Sequence, residues 1–197
     1  MPSIATLVDD FHAGTVVGVG GMPDSNTAVE NEISGTCRVK HKYSDAAVTL
    51  SGTNRLTCAP APNGAQVNGR YLFFQDDWTT AADMDATHPI IVSGKFSGCM
   101  WKVFRTGVGQ YKCVHIARPG GAGSDALVNL VSQGTAVQHQ WVEVQTIPTA
   151  GMIQPGVTNE VFLVGQYFPG TGRIKSVALA VNSQGLVVNH VYRDDAA

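Results

Sequence analysis

Short apolar segments separated by glycine-containing turns are the feature that most constrains how this chain folds. The sequence contains 22 glycines in 197 residues, and several stand in polar turns between segments rich in valine, isoleucine and aromatic residues. Segments of this length and composition indicate β-strands, because helices need a longer stretch with apolar residues every three or four positions. Near the end of the chain three such segments follow one another through glycine turns, which predicts a meander over 160–167, 174–181 and 186–192.

The rest of the chain is consistent with the same class of fold. Further strands are predicted at 36–43, 47–51, 55–59, 70–75, 89–92, 111–116 and 141–147, with a polar loop or helical turn at 76–85. Helices are predicted at 4–11, after the N-cap Ser3, and at 125–133, after the loop 119–124 and ending at Gly134. Regular alternation of strands and helices is absent, so we expect a strand-rich α/β fold in one domain, 1–197. Its architecture would be a sandwich of two mixed β-sheets flanked by a few short helices.

Charge and hydropathy narrow the classes of partner. Only 14% of the residues are charged and the net charge is -2, so no strong field attracts nucleic acid or an anionic membrane. No apolar run reaches the ~18 residues of a membrane-spanning helix. The first residues lack the positive and apolar regions of a Sec signal peptide. We therefore expect a protein that binds neither nucleic acid nor membrane, and we expect it to be a monomer.

The four cysteines leave two disulfides open, with three connectivities. A chain of this length does not need such cross-links, and free thiols are favoured. A zinc site is disfavoured because no Cys-x-x-Cys pair occurs, and the acidic pairs in the 76–85 segment are typical of solvated loops. We expect neither a metal nor a cofactor.

Cys99 and His115 are the strongest candidates for chemistry. Cys99 follows Ser97 and Gly98, and glycine lets a backbone or substrate approach the sulfur closely. A glycine turn returns the chain, so an antiparallel pair of strands brings His115 near the sulfur. A nearby imidazolium lowers the pKa of a thiol, and the thiolate attacks an amide carbonyl while the histidine protonates the leaving nitrogen. The alternative is that both residues are ordinary strand core, since free cysteine is among the most buried residue types.

The stretches Phe96-Ser97-Gly98-Cys99 and Cys113-Val114-His115-Ile116 resemble those of the cysteine–histidine glutamine deamidases. This group includes the cytotoxic necrotising factor catalytic domains, the Burkholderia lethal factor and the chemoreceptor glutamine deamidases. The resemblance covers roughly residues 90–118, and the family has leucine where this chain has Phe96. It implies the family's sandwich of two mixed sheets with outer helices.

The resemblance also implies roles for individual residues. Cys99 would be the nucleophile and His115 the base and acid. The family's orienting threonine corresponds to Ser93, whose hydroxyl accepts a hydrogen bond as threonine does; the Val92 carbonyl is the substitute. Backbone N–H groups at Gly98 would form an oxyanion hole. Two further residues are candidates for lining a substrate groove, although aromatic core is the commoner role: Trp78 and Trp101.

The expected function is therefore that of an effector- or toxin-like deamidase that converts a glutamine of a target protein to glutamate. The resemblance suggests host proteins such as small GTPases or translation factors as targets. It implies a bacterial protein that is secreted or injected into a host cell without a Sec signal peptide. Two alternatives stay open: a cysteine protease, amidase or transglutaminase with the same pair, and a non-enzymatic β-sandwich binding module.

Overall fold

The structure is a computed structural model that describes residues 2–23, 28–35, 37–61, 67–117, 134 and 136–195. The predicted helix 125–133 and the loop 119–124 lie outside these residues. A 3₁₀ turn at Ile4–Thr6 leads into helix α1, Leu7–His12. The strands are β1 Gly18–Val19, β2 Val29–Ser34, β3 Val39–Leu50, β4 Arg55–Pro60, β5 Gly69–Leu72, β6 Thr79–Met84, β7 Ile90–Phe96, β8 Met100–Gly107, β9 Gln110–Ile116, β10 Val142–Pro148, β11 Glu160–Phe168, β12 Arg173–Val181 and β13 Val187–Asp195.

The strands form one continuous sheet rather than the two sheets that the sequence predicted. Ten strands follow the order β10-β8-β9-β6-β3-β5-β7-β11-β12-β13, and β1, β2 and β4 branch from it. Gln145 of β10 donates to the Ile174 carbonyl of β12 and accepts from Ser176. These bonds join strands from opposite ends of the order, so the sheet curls into a mostly closed barrel or sandwich.

The long strand β3 explains why the predicted two-sheet division is wrong. Its first half, 39–43, pairs with β2, and residues 39–41 also pair with β6. Its second half pairs instead with β5 and β4. Because one strand exchanges partners along its length, two groups of strands that would otherwise be separate sheets are joined.

Three apolar clusters stabilise the curled sheet. The interior cluster combines inward residues of strands on both sides of the curl, among them Trp101, Ile147 and Leu163. A second cluster lies on the other face of β7, β11 and β12, where Phe11 of α1 packs. A third covers the outer face of β6, β8 and β9, and includes Ala136 of the helical segment 136–139. Burial of this apolar surface is the main stabilising contribution.

Several sequence predictions of local structure are confirmed, and two others are wrong. The Ser3 hydroxyl caps the first turn by accepting from the Ala5 N–H at 3.1 Å, and the three last strands form the predicted meander. The prediction of a polar loop or helical turn over 76–85 is wrong, because β6 occupies Thr79–Met84. The predicted helix end at Gly134 is wrong, since Gly134 is itself helical, and residues 136–139 are helical as well.

Within the described ranges, no helix is long and apolar enough to cross a membrane. All four cysteines are free thiols: Cys37 is half-buried, whereas Cys58, Cys99 and Cys113 are buried. Burial raises the pKa of the Cys58 thiol to about 12 and that of Cys113 well above its ordinary value. These two thiols are therefore core residues without nucleophilic character.

Candidate active site

Adjacent strands β8 and β9 bring Cys99 towards His115. In their antiparallel register Trp101 lies opposite His115, and Cys99 precedes Trp101 by two positions. Cys99 and Trp101 belong to the same interior cluster, so the Cys99 side chain faces the interior just before β8 begins, two positions from the residue that pairs with His115. The strand pairing expected from the sequence is present.

Ser93 of β7 lies across the interior from β9 and contacts the imidazole. Its hydroxyl donates to the Leu72 carbonyl at 2.8 Å, and its oxygen lies 3.1 Å from Nδ1 of His115. Because the hydroxyl proton is used on Leu72, the oxygen accepts from His115, which places the imidazole proton on Nδ1. The other ring nitrogen, Nε2, then carries a lone pair and is the basic atom.

The environment of His115 keeps the imidazole neutral. The side chain is 1% exposed, and the Phe96 ring stacks on it with centroids 3.6 Å apart and an interplanar angle of 7°. Phe74, which is 39% exposed, lies with its ring centroid 5.3 Å from that of the imidazole. Burial lowers the pKa of His115 to about 3. The imidazole is therefore not protonated near neutral pH, whereas the mechanism expected from the sequence used a protonated imidazole to ionise the thiol.

The basic nitrogen of His115 and the thiol of Cys99 are not hydrogen-bonded to each other in this structure. Nε2 of His115 is buried and has no hydrogen-bond partner among the described residues. Cys99 is 5% exposed, and no hydrogen bond links its sulfur to the imidazole within that part of the chain. Catalytic hydrogen bonds are often long in apo structures and shorten when substrate binds. A buried acceptor without a partner is rare in proteins and costs about 1–3 kcal/mol.

The backbone at Cys99 is fixed on both sides. Gly98 has φ +110°, in a region that residues with a Cβ rarely adopt. The Cys99 carbonyl accepts from the Thr149 hydroxyl at 2.6 Å and from the Thr149 N–H at 3.3 Å. The N–H groups of Gly98 and Cys99 donate to no other described residue. Thr149 is 50 positions from Cys99 in the chain, and no sequence pattern indicated it.

Neither of the two tryptophans proposed for a substrate groove is an open, exposed ring beside the thiol. Trp101 has no exposed surface, which contradicts a role in an open groove; its ring packs against Gly165 of β11. Trp78 is half-buried under the Lys40 ammonium, 5.0 Å from the ring centroid.

Val92, the substitute orienting group, pairs with Val164 in the sheet, while Ser93 is the residue at Nδ1. Among the described residues, no group of three or more His, Cys, Asp or Glu side chains is arranged to hold a metal.

Comparison with known proteins does not assign the chain to a family. No family model matches it, and no curated protein matches it. Among solved structures, the chain is similar to the C-terminal domain of CNFy from Yersinia pseudotuberculosis, with 11% identity and a TM-score of 0.37 over 88% of this chain and 78% of that one. Similarity at this distance establishes neither a common fold nor a common activity. Any functional assignment therefore depends on the residues of this chain.

Proposed function

We propose that the chain is a cysteine-dependent deamidase in which Cys99, His115 and Ser93 convert a glutamine side chain of a target protein to glutamate. One observation carries the proposal: Ser93 holds a buried, neutral imidazole in the tautomer whose Nε2 lone pair has no partner among the described residues. That arrangement supplies a base whose orientation is fixed by a third group, as nucleophilic catalysis by cysteine requires.

The first half of the reaction forms a thioester. Nε2 of His115 takes the proton of the Cys99 thiol as the sulfur attacks the carboxamide carbon, so base and nucleophile act together and no resting ion pair is needed. The C=O π electrons move onto oxygen, and the N–H groups of Gly98 and Cys99 stabilise that oxyanion. The oxyanion then collapses, the C–N bond breaks, and the imidazolium gives its proton to the leaving nitrogen, which departs as ammonia.

The second half regenerates the thiol. His115 Nε2 takes a proton from water as the water oxygen attacks the thioester carbon. Collapse of the second tetrahedral intermediate breaks the C–S bond, and the imidazolium returns the proton to the sulfur. The products are a glutamate side chain and ammonia, and no cofactor takes part.

The resemblance in the two motif stretches extends the proposal to the biological setting. The chain would act as a monomeric bacterial effector or toxin, exported without a Sec signal peptide. Its substrate would be a host protein such as a small GTPase or a translation factor. Deamidation places a negative charge where none existed, which is enough to disrupt an interface or lock a conformation.

The burial of the two central residues favours a second candidate, a non-enzymatic β-sandwich binding module. Cys99 is 5% exposed and His115 is 1% exposed, values that ordinary core residues have. In that case the Ser93–His115 hydrogen bond would serve only to satisfy two polar groups inside the sheet. The two candidates differ in whether the Cys99 sulfur is chemically active.

The test is to incubate the purified chain with host-cell lysates and to map Gln-to-Glu changes by mass spectrometry. Cys99→Ser removes the thiol with little change in volume, and Cys37→Ser, at a half-buried cysteine outside the site, is the matched control. We expect a discrete set of converted glutamines with the unmodified chain and with Cys37→Ser. Cys99→Ser should convert none.

The same spectra separate the related cysteine enzymes. New peptide termini that depend on Cys99 would identify a protease, and amine adducts on glutamine would identify a transglutaminase. Identical glutamine inventories with the unmodified chain and Cys99→Ser, together with no preferential alkylation of Cys99 over Cys37, would refute the enzyme proposal and favour the binding module.

A further inference from the structure

Two histidines from opposite ends of the chain meet at the surface between α1 and β13. Nδ1 of His12, the last residue of α1, lies 3.2 Å from Nε2 of His190 in β13. Their ring planes are inclined by 78°. His12 is exposed and His190 half-buried. The residues are 178 positions apart, so this contact is created entirely by the fold.

Two imidazole nitrogens at this separation share either the proton of one ring, in an ordinary N–H···N hydrogen bond, or a metal ion. If both nitrogens are unprotonated their lone pairs repel, so either a proton or a metal ion must lie between the rings. Two nitrogens bound to one tetrahedral Zn²⁺ at about 2.0–2.1 Å lie about 3.3–3.4 Å apart. The observed 3.2 Å is close to that value, so a metal fits with a movement of only a few tenths of an ångström.

The His12 ring is held in place by its surroundings. It stacks on Tyr192 with centroids 4.2 Å apart and an interplanar angle of 16°. The Tyr192 hydroxyl donates to Asp9 at 2.9 Å, and the same carboxylate is paired with Lys175 at 2.6 Å. A ligand ring fixed by its neighbours loses little freedom when it binds a metal, which raises affinity.

The site is open to solvent on one side. His190 lines a groove of about 210 Å³ together with Phe11 and Val187. Within the described part of the chain no third His, Cys, Asp or Glu completes a ligand cluster here, so water would occupy the remaining coordination positions. Imidazole ligands with open positions suit late divalent transition metals such as Zn²⁺, Ni²⁺ and Cu²⁺.

We propose that His12 and His190 form a two-histidine binding site for a late divalent transition-metal ion, Zn²⁺ being the probe of choice, that bridges α1 to β13. A bound ion would tie the N-terminal helix to the last strand. The two histidines are brought together only in the folded chain, so the ion binds the folded chain and not the unfolded one. The free energy of unfolding should therefore increase as the ion concentration rises above Kd. This site shares no residue with the proposed thiol chemistry.

Calorimetric titration with ZnCl₂, on the full chain, tests the site directly. We expect binding of one ion per chain, weakened at least about tenfold in both His12→Ala and His190→Ala. His139→Ala is the matched control, because His139 is exposed and stacks on Trp141 instead; it should bind as the unmodified chain does. Undiminished affinity in His12→Ala, or no binding by the unmodified chain, would overturn the proposal.

Spectroscopic measurements distinguish the loss of a metal ligand from the loss of folding in the variants. Cu²⁺ bound to the unmodified chain should give an electron paramagnetic resonance spectrum with coupling to two imidazole nitrogens, reduced to one in His12→Ala. Circular dichroism identifies any variant that has unfolded. Since His12 is exposed at a helix end, His12→Ala decides the matter if His190→Ala proves unfolded. An unaltered nitrogen coupling in a folded His12→Ala would count against the site.

Discussion

Acidification should destabilise this protein through His115 in particular. The folded chain holds the pKa of this imidazole at about 3 by burial, against 6.5 for the free side chain. Between these two values the unfolded chain binds one proton more than the folded chain. The free energy of unfolding therefore rises with pH across this window, and the contribution is lost as pH falls below about 6.5.

The size of the effect follows from the two pKa values. The full difference corresponds to roughly 4–5 kcal/mol, reached only near pH 3. Between pH 7 and pH 5 the loss is about 2 kcal/mol, because most of the unfolded histidine is protonated at pH 5 while the buried one is not. Such a loss is a large fraction of the ~5–15 kcal/mol that stabilises a typical domain.

Urea unfolding at pH 7 and pH 5 measures this contribution when the protein is compared with variants that lack the titrating ring. His115→Asn keeps a donor for Ser93, and His115→Phe keeps an aromatic surface for Phe96. Other groups with lowered pKa, His41 and Asp85 among them, titrate equally in all three proteins and cancel. We expect the unmodified chain to lose about 2 kcal/mol more than either variant. Equal losses would show that His115 is not buried and neutral, and would refute the tautomer argument with it.

Three further predictions concern the groups around the thiol. Ser93→Ala should lower the free energy of unfolding by about 1–3 kcal/mol in urea titrations, because the Nδ1–H of His115 loses its buried acceptor. The same variant keeps the Cys99 thiol and should lower the rate of deamidation. Thr149→Val should reduce kcat with little effect on KM, since the Cys99 carbonyl loses its hydroxyl partner while side-chain volume is kept; unchanged kinetics would remove Thr149 from the site. Gly98→Ala should cost about 1–3 kcal/mol in thermal unfolding, since its φ of +110° is strained for alanine, and an unchanged Tm would contradict that backbone conformation.

Local chemistry made parts of the fold predictable. The Ser3 cap and the glycine turns of the last three strands depend on side chains near in sequence. The strand β6 was missed because its sequence, Thr-Thr-Ala-Ala-Asp-Met, has few of the β-branched and aromatic residues that mark strands. It is a strand because β3 and β9 flank it, and strand propensity depends strongly on such context.

Long-range pairing explains the remaining errors. The continuous sheet depends on β3 exchanging partners near Tyr43, and alternation within one strand carries no information about which strands lie beside it. At the site, spacing indicated that Cys99 and His115 lie near one another, and the resemblance implied Ser93 as the orienting residue. The Phe96 stacking and the Thr149 hydrogen bonds depend on tertiary contacts that no local pattern encodes.

The unpartnered Nε2 of His115 is one of four buried side-chain polar atoms without a partner in the described part of the chain, and its effect on stability can be measured. A core histidine that serves only packing gains stability when both ring nitrogens are bonded, and leaving one buried acceptor unpaired costs about 1–3 kcal/mol. Replacing both His115 and Ser93 with apolar residues of similar shape would remove that cost. If His115→Phe combined with Ser93→Ala is more stable than the unmodified chain, the polar pair is kept at the expense of stability. Proteins retain such costs mainly at functional sites, so this double variant, measured by urea unfolding at pH 7, links the stability of the sheet to the chemistry proposed for Cys99.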